Sequence, residues 1–251
     1  PLVRKPSGLI NEQIVDISMK NCFDRLSLIP RSDAIIHLAS KVDFSSDADS
    51  NSFTTTNVLL TSYLSQLAKQ WSSHLVFTST ISVYGDIEYI DTFSVPNSNN
   101  EYGKAKLIAE NIIKSEKISH TILRIAGIYG YKGPEHLGLN NAITSSIDHN
   151  LIPVLRGTGF AKRNYIYVND LAKAIRICVE KKIQGTHLVG GSEIITIRKM
   201  LEGICEVILN GKELIHEIGD SPKNIVVENS LDLPKSRSFS DTLLDIKSRY
   251  S

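Results

Sequence analysis

Short apolar runs alternate along this chain with longer stretches in which apolar residues recur at helical spacing. The continuous runs AIIHLA and HLVFTS are typical of strands that are buried on both faces of a parallel sheet. In Asn57–Lys69 and Tyr102–Lys114 the apolar positions fall near one helical face. Strand–helix–strand repetition favours right-handed β–α–β units and therefore predicts an α/β fold built on a parallel sheet.

The same patterns predict further elements on either side of these segments. The expected strands are Leu2–Arg4, Gln13–Ile17, Ala34–Leu38, His74–Thr78, Thr121–Ile125, Ile152–Leu155, Tyr165–Val168, His187–Val189 and Ile225–Glu228. The further expected helices are Asn141–Ile147, Leu171–Lys181, Ile197–Leu209 and Asp241–Arg249. Asp170 stands just before one of these helices, and we expect it to be structural, as an N-cap.

Composition and charge exclude several classes of protein. With 41% apolar and 22% charged residues in 251, the chain has an ordinary globular mix. The net charge of +1 gives no whole-protein field that would hold nucleic acid or anionic lipid. Three widely spaced cysteines indicate neither a disulfide framework nor a zinc site, and they suit a reducing cytoplasm. No apolar run is long enough to span a bilayer.

Tyr102 and Lys106 form the first candidate for chemistry. Residues four apart lie on one face of a helix, and an ammonium beside a phenol lowers the pKa of the phenol. A tyrosine of that kind can act as an acid or a base. An ordinary surface helix explains the same spacing, and the pair alone favours that simpler interpretation.

Hydroxyl-bearing residues follow the strand His74–Thr78, in the segment Ser79–Gly85. Open α/β sheets bind ligands at the carboxyl ends of their strands. Alternatively, the serines and threonines cap the strand and satisfy turn amides. The strand Ala34–Leu38 also ends in small residues, which would let a flat ligand approach the backbone. We interpret His37, inside that strand, as a hydrogen-bonded core histidine.

Six motifs occur in chain order between residue 1 and about Glu206: AIIHLAS, Asn57 followed by Thr61, VFTSTISVYGD, YGKAK, ILRIAGIYG and RNYIYVNDLAKAI. In this register the chain resembles the extended short-chain dehydrogenase/reductase superfamily, which includes nucleotide-sugar epimerases, dehydratases and reductases. YGKAK matches the family's Y-x-x-x-K, and VFTSTISVYGD resembles the strand that carries a catalytic Ser or Thr. Six motifs in register are far more specific than any one of them.

The resemblance implies a Rossmann-like doubly wound parallel sheet with a smaller C-terminal substrate-binding lobe. The dinucleotide-binding domain would occupy residues 1–130 and the lobe residues 131–251, with Tyr165–Lys181 returning to the main domain. Members of the family are often homodimers through two helices per subunit, which here would be those that contain Asn57 and Tyr102.

The resemblance also assigns roles to individual residues. Tyr102 would move the hydroxyl proton of the substrate, Thr80 would hydrogen-bond the same oxygen, and Lys106 would hold the nicotinamide ribose and lower the pKa of Tyr102. The expected cofactor-binding residues are Arg4, Leu38, Ala39, Ser40, Asn57, Tyr102, Lys106 and Ile128. The expected substrate-binding residues are Thr80, Ser82, Asn140 and Arg163, and no metal is expected. Arg163 would grip a diphosphate; the alternative is an ordinary surface ion pair.

The glycine fingerprint of the family, which holds the cofactor pyrophosphate, is absent. By register, residues 1–7 resemble the second strand and its loop, so we expect the parent protein to have an upstream unit of roughly 30 residues. An acidic residue at the end of that strand would suit NAD, and a basic one suits the 2′-phosphate of NADP. Arg4 and Lys5 therefore favour NADP, unless they only decorate an exposed strand end.

These features favour an NAD(P)-dependent enzyme that acts on a nucleotide-activated sugar as a 4-epimerase or a 4-keto reductase. The segment Thr80–Gly85 lacks the D-E pair of a 4,6-dehydratase, and a preference for NADP would favour a reductase. Two alternatives stay open: a reductase of a non-sugar ketone, and a catalytically silent NAD(P)-binding regulator or scaffold. Partners other than a small-molecule substrate and a second copy of the chain, such as nucleic acid or a membrane, are not expected.

Overall fold

The computed structural model describes residues 2–3, 13–14, 22–41 and 54–250. The strands are β1 Leu2–Val3, β2 Gln13–Ile14, β3 Ala34–His37, β4 His74–Thr80, β5 Tyr89–Ile90, β6 His120–Ile125, β7 Ile128–Tyr129, β8 Val154–Arg156, β9 Lys162–Arg163, β10 Ile166–Tyr167, β11 Gly185–Val189, β12 Ile195–Thr196, β13 Ile215–Glu217 and β14 Val226–Val227. The α-helices are α1 Cys22–Ser27, α2 Leu60–Trp71, α3 Glu101–Ser115, α4 Gly138–His149, α5 Val168–Lys181, α6 Ile197–Val207 and α7 Phe239–Tyr250.

The main sheet has the strand order β11-β6-β4-β3. β3 and β4 run parallel, with Ala34 opposite His74 and His37 opposite Phe77. β4 is buried along nearly its whole length, as its continuous apolar run predicts. β3 differs from the expectation of burial on both faces, because Ile36 is 47% exposed and β3 is the last strand of this sheet in the described part of the chain. The mixed α/β fold with a parallel sheet is confirmed.

The first of two structural units comprises Pro1–Gly85, Pro96–Ile122 and Lys182–Gly185. One of its apolar clusters joins Leu26 to the inner face of α2. Another packs β4 against α3 through Leu75, Phe77, Ala109, Ile113 and Ile122, together with Ala68 of α2. The burial of these side chains fixes α3 along β4, which matters below because both elements carry candidate site residues.

The second unit comprises Asp86–Val95, Leu123–Lys181 and Thr186–Ser251. Its core is formed mainly by α4, α6 and α7, with Ile143, Ile204 and Leu243 completely buried. Segments of the two units alternate along the chain, and Tyr165–Lys181 lies in the second unit. The expected boundary near residue 130 stays a prediction. The expected functions of the two domains stay a prediction.

The start of helix α5 corrects the expectation that Asp170 is an N-cap. α5 begins at Val168, so Asp170 lies in its first turn and is not the N-cap. The Asp170 carboxylate instead accepts hydrogen bonds from the backbone and the guanidinium of Arg237, each at 2.9 Å. Its role is structural, as expected, but its partner comes from a segment 67 residues away in the sequence.

A helix cap and two short turns set where the elements around the site begin. Asn100 caps α3, because its side chain accepts a hydrogen bond from the backbone N–H of Gly103 at 2.8 Å. A π-helical turn, Thr54–Leu59, precedes α2 where a continuous α-helix from Asn57 was expected. A 3₁₀ turn, Ile81–Tyr84, follows β4. In the described residues, no helix has both the length and the apolar character to cross a membrane.

Candidate active site

Thr80 ends β4 and starts the 3₁₀ turn. Its Oγ1 accepts a hydrogen bond from the backbone N–H of Ser82 at 3.1 Å and donates one to Ser82 Oγ, also at 3.1 Å. The hydroxyl therefore caps the turn, which was the structural alternative for this segment. The same hydroxyl also bonds the phenol of Tyr102, so the capping role does not remove Thr80 from the candidate site.

Tyr102 lies in the first turn of α3 and is only 9% exposed. Its phenol hydrogen-bonds the side chains of Ser40 and Thr80. Burial raises the pKa of Tyr102, and these two hydrogen bonds lower it by less. The expected lowering of this pKa by Lys106 is therefore not what the structure shows: the dominant effect is burial, and Tyr102 is a neutral phenol at neutral pH.

Lys106 follows Tyr102 by one helical turn and is almost completely buried. Its Nζ donates a hydrogen bond to the carbonyl oxygen of Thr78 at 2.8 Å and lies 4.5 Å from the ring centre of Phe77. Burial lowers the pKa of Lys106, and the charge of Glu110 partly opposes this effect; the resulting pKa is about 8. The amine is thus fixed against β4, with a cation–π contact that stabilises its charged form.

The loop after β3 carries three of the expected cofactor-binding residues. Leu38 and Ala39 are exposed, and Ser40 is half-buried. Asn57 holds this loop: its Oδ1 accepts hydrogen bonds from Lys41 N at 2.9 Å and Ser40 Oγ at 3.2 Å, and its Nδ2 donates to Lys41 O at 3.0 Å. Because Asn57 is buried and bonded on both sides of its amide, the structure gives it a positioning role, and direct contact with the cofactor stays a prediction.

His37 is a buried, hydrogen-bonded histidine, which confirms the expectation for it. Thr61 Oγ1 donates to the carbonyl oxygen of Asn57 at 2.7 Å, so its single proton is used there. His37 Nε2, 2.9 Å from the same hydroxyl, must then be the donor. Burial, together with the nearby charge of Lys106, lowers the pKa of His37 to about 3 and keeps the ring neutral.

The structure thus brings five of the predicted residues together in the first unit: Ser40, Asn57, Thr80, Tyr102 and Lys106 are connected through hydrogen bonds or adjacent turns of α3. Ser82 joins them through Thr80. Arg4 and Lys5, on which the preference for NADP depends, lie outside the described residues.

Three further predicted residues belong to the second unit. Asn140 is completely buried, and its amide bonds the backbone of Gly130, Ile128 and Pro134 at 3.0–3.3 Å. This is a structural role in shaping the loop, and contact of Asn140 with a substrate stays a prediction. Ile128 is 36% exposed in β7, and its expected contact with the cofactor is likewise a prediction.

Arg163 is buried, with 5% of its surface exposed. Its Nη1 donates to the carbonyl oxygens of Lys162 and Lys223 at 2.8 and 2.6 Å, and its Nε donates to the hydroxyl of Tyr165 at 3.3 Å. Within the described residues no carboxylate pairs with it, so the alternative of an ordinary surface ion pair is wrong. Its role toward a diphosphate stays a prediction.

Sequence reasoning missed Glu110 and gave Ser79, within the candidate segment Ser79–Gly85, no individual role. Ser79 Oγ donates to Glu110 Oε1 at 2.6 Å, and Glu110 is completely buried. Its position four residues after Lys106, on the same helical face, was an available signal. Among the described residues, no group of three or more His, Cys, Asp or Glu side chains could hold a metal ion.

Comparison with known proteins identifies the family of this chain. A model of the NAD dependent epimerase/dehydratase family matches residues 4–191. The chain is 30% identical over 183 residues to a dTDP-D-glucose 4,6-dehydratase of Dictyostelium discoideum, covering 65% of this chain and 41% of the relative. It is 29% identical over 227 residues to the bovine (Bos taurus) dTDP-D-glucose 4,6-dehydratase, covering 86% and 60%. The chain therefore spans less than two thirds of the length of these relatives.

A solved structure supports the fold. UDP-glucuronic acid 4-epimerase from Bacillus cereus, crystallised in complex with NAD, superimposes with a TM-score of 0.77 at 21% identity. The match covers 96% of this chain and 81% of that structure. Since the family model matches well over half of the sequence, the chain belongs to the NAD-dependent epimerase/dehydratase family.

Proposed function

We propose that this protein is an NAD(P)-dependent enzyme that acts on a nucleotide-activated sugar, as a 4-epimerase or a 4-keto reductase, with Tyr102 as its acid/base. The observation that carries the proposal is the phenol of Tyr102, one turn before Lys106 on α3. It bonds the hydroxyl of Thr80 at the carboxyl end of β4 and the hydroxyl of Ser40 in the loop after β3. The dTDP-glucose dehydratases and the UDP-sugar epimerase described above support a nucleotide-sugar as substrate.

The residues around Tyr102 fit the nicotinamide end of the cofactor. Leu38 and Ala39 present exposed, uncharged side chains at the carboxyl end of β3, where a flat ring can lie against the backbone. The buried amine of Lys106 and the hydroxyl of Ser40 supply the polar groups that sugar hydroxyls require. When bound, NAD(P) supplies the hydride acceptor and donor.

The protonation state of Tyr102 favours one direction of the chemistry. Because burial raises its pKa, the phenol carries its proton at neutral pH and can donate it to a ketone oxygen. Thr80 would hydrogen-bond the same oxygen as charge develops. Tyr102 in this protonated state suits a 4-keto reductase.

The side chains of the segment after β4 are the basis for the proposed reaction type. The segment Thr80–Gly85 contains no carboxylate, whereas elimination of water by a 4,6-dehydratase requires acidic groups at this place. Incubation with dTDP- and UDP-sugars, and separately with their 4-keto derivatives together with NADPH or NADH as the hydride donor, followed by mass spectrometry of the products, separates the reactions. Loss of 18 mass units indicates a dehydratase and would contradict the proposal; gain of two indicates reduction, and an unchanged mass with a new sugar isomer indicates epimerisation.

Substitution of Tyr102→Phe tests the role of the phenol. General acid–base groups contribute roughly 10²–10⁴-fold, so we expect kcat to fall at least about 100-fold while the Kd for the cofactor is retained. Tyr89→Phe, which removes an exposed phenol outside the candidate site, serves as the matched control. A wild-type protein that binds cofactor but turns over no substrate would instead support the regulator or scaffold.

The remaining assignments are proposals with direct tests. A preference for NADP is proposed from Arg4 and Lys5, and a lower KM for NADH than for NADPH would contradict it. A homodimer through α2 and α3 is proposed from the resemblance and from the exposed Leu59 and Ile108, and sedimentation equilibrium measures its mass. Cysteine usage supports a cytoplasmic location, which cell fractionation can test.

A further inference from the structure

Three consecutive residues of β4 form hydrogen bonds with residues of α3. The carbonyl of Thr78 accepts from Lys106, Ser79 donates to Glu110, and Thr80 meets Tyr102. The first and last of these connections belong to the site already described. The middle one involves a carboxylate that is completely buried and carries no part of the proposed chemistry.

A buried carboxylate is costly unless charge and hydrogen bonds compensate it. One oxygen of Glu110 accepts the 2.6 Å bond from Ser79, and the other lies 3.4 Å from Nζ of Lys114, which is 40% exposed. This arrangement satisfies the carboxylate on both sides and fixes it along the inner face of α3.

In the part of the chain that the structure describes, few charged or titratable groups surround Lys106. His37 faces it from β3 and is neutral, and Tyr102 on α3 is a neutral phenol. Glu110 lies one turn further along α3, with Lys114 beyond it. Among these groups, Glu110 is the one whose charge raises the pKa of Lys106 and so opposes the effect of burial.

We propose that Glu110, held by Ser79, is a positioning residue that keeps the amine of Lys106 charged and in place beside Tyr102. The consequence for turnover rests on the proposed function, whereas the effect on Lys106 can be measured without substrate. Glu110 touches no reacting atom and acts only through Lys106.

The experiment measures the free energy of unfolding in urea from pH 6 to 10. The wild-type protein and each variant are compared with the same protein that also carries Lys106→Met. The difference within each pair isolates the titration of Lys106. Because its folded pKa of about 8 lies below the ordinary value of 10.5, the unfolded state binds more protons between these values, and stability rises with pH in that window. We expect Glu110→Gln to move the onset of the rise to lower pH by about one unit.

Lys114→Met is the matched control, because it removes the other charge next to Glu110; we expect no shift of the onset to lower pH. Ser79→Ala should shift the onset in the same direction as Glu110→Gln but less, and it decides the test if Glu110→Gln does not fold. An unchanged onset in Glu110→Gln overturns the inference. If Glu110→Gln does not fold, an unchanged onset in Ser79→Ala overturns it.

The pH–rate profile supplies the second readout, since its alkaline limb should move with the onset measured by unfolding. A limb that stays in place while the onset moves overturns the role of Glu110 in turnover. A wild-type protein with no turnover refutes the proposed function alone, and the unfolding data then decide the effect of Glu110 on Lys106.

Discussion

Gly103, inside the YGKAK segment, lies where α3 approaches the 3₁₀ turn most closely. A Cβ at this position would meet Ser98 Oγ and the carbonyl oxygen of Ser82 closer than real contacts occur, and would lie 2.9 Å from the carbonyl carbon of Ser82. The side chain of Ser98 can rotate away, but the backbone of Ser82 is fixed by the cap that Thr80 provides. We therefore expect Gly103→Ala to push the start of α3 away from the turn.

The size of this displacement follows from the contact distance. Carbon atoms pack at roughly 3.5–4.0 Å, so the gap must open by roughly 0.6–1 Å. Tyr102 and Thr80 lie on opposite sides of this gap, and a misplacement of about 1 Å at a reacting centre can cost roughly 100-fold in rate. Overpacking costs about 1–3 kcal/mol, and the better helix propensity of alanine offsets about 1 kcal/mol of it. We expect a large loss of kcat with a small loss of stability.

The assay compares kcat and urea unfolding for Gly103→Ala and Gly138→Ala. Gly138 starts α4, and a Cβ added there would meet nothing within 4 Å, so this variant controls for the glycine-to-alanine change itself. The reasoning is refuted if Gly103→Ala keeps wild-type kcat, because the close approach of α3 to the turn would then not set the position of Tyr102.

Three other outcomes follow from the contacts. Asn57→Ala removes the hydrogen bonds that hold the loop after β3, so we expect the free energy of unfolding to fall by about 1–3 kcal/mol and cofactor binding to weaken in calorimetry; unchanged binding would contradict the positioning role. Asp170→Asn weakens the pair with Arg237 and should cost about 2 kcal/mol in urea unfolding, whereas Asp232→Asn, at an exposed carboxylate, should cost little. The pKa of His37 is about 3 in the folded state against 6.5 in the unfolded state, so the unfolded state binds more protons below pH 6.5. This difference should lower the free energy of unfolding by about 2 kcal/mol from pH 7 to pH 5. His37→Gln should remove this decrease, and an equal decrease in that variant would contradict the buried neutral ring.

Local patterns predicted the elements that hold the site. The apolar run of β4 and the helical spacing of α3 are short-range features, and Thr80, Tyr102 and Lys106 meet because these two elements pack together. The neutral state of His37 could also be inferred from its place in an apolar strand.

Features that depend on packing could not be obtained in this way. The pKa of Tyr102 rises because the surrounding residues bury the phenol, whereas spacing to Lys106 alone suggested the opposite. Asp170 is bonded by Arg237, and nothing in the sequence near Asp170 indicates that partner. Helical spacing places Glu110 on the same face as Lys106, but the hydrogen bond from Ser79 to Glu110 depends on how β4 packs against α3.

The bonds between β4 and α3 also bear on the order in which the protein folds. Thr78 and Lys106 are 28 residues apart, and Ser79 and Glu110 are 31 apart, whereas Tyr129 and Thr242 in the second unit are separated by 113. Contacts between residues close in sequence close small loops and form quickly. We therefore expect the strand, turn and helix that carry Thr80, Tyr102 and Lys106 to assemble before the distant contacts of the second unit, and their amide protons to exchange together in hydrogen-exchange measurements.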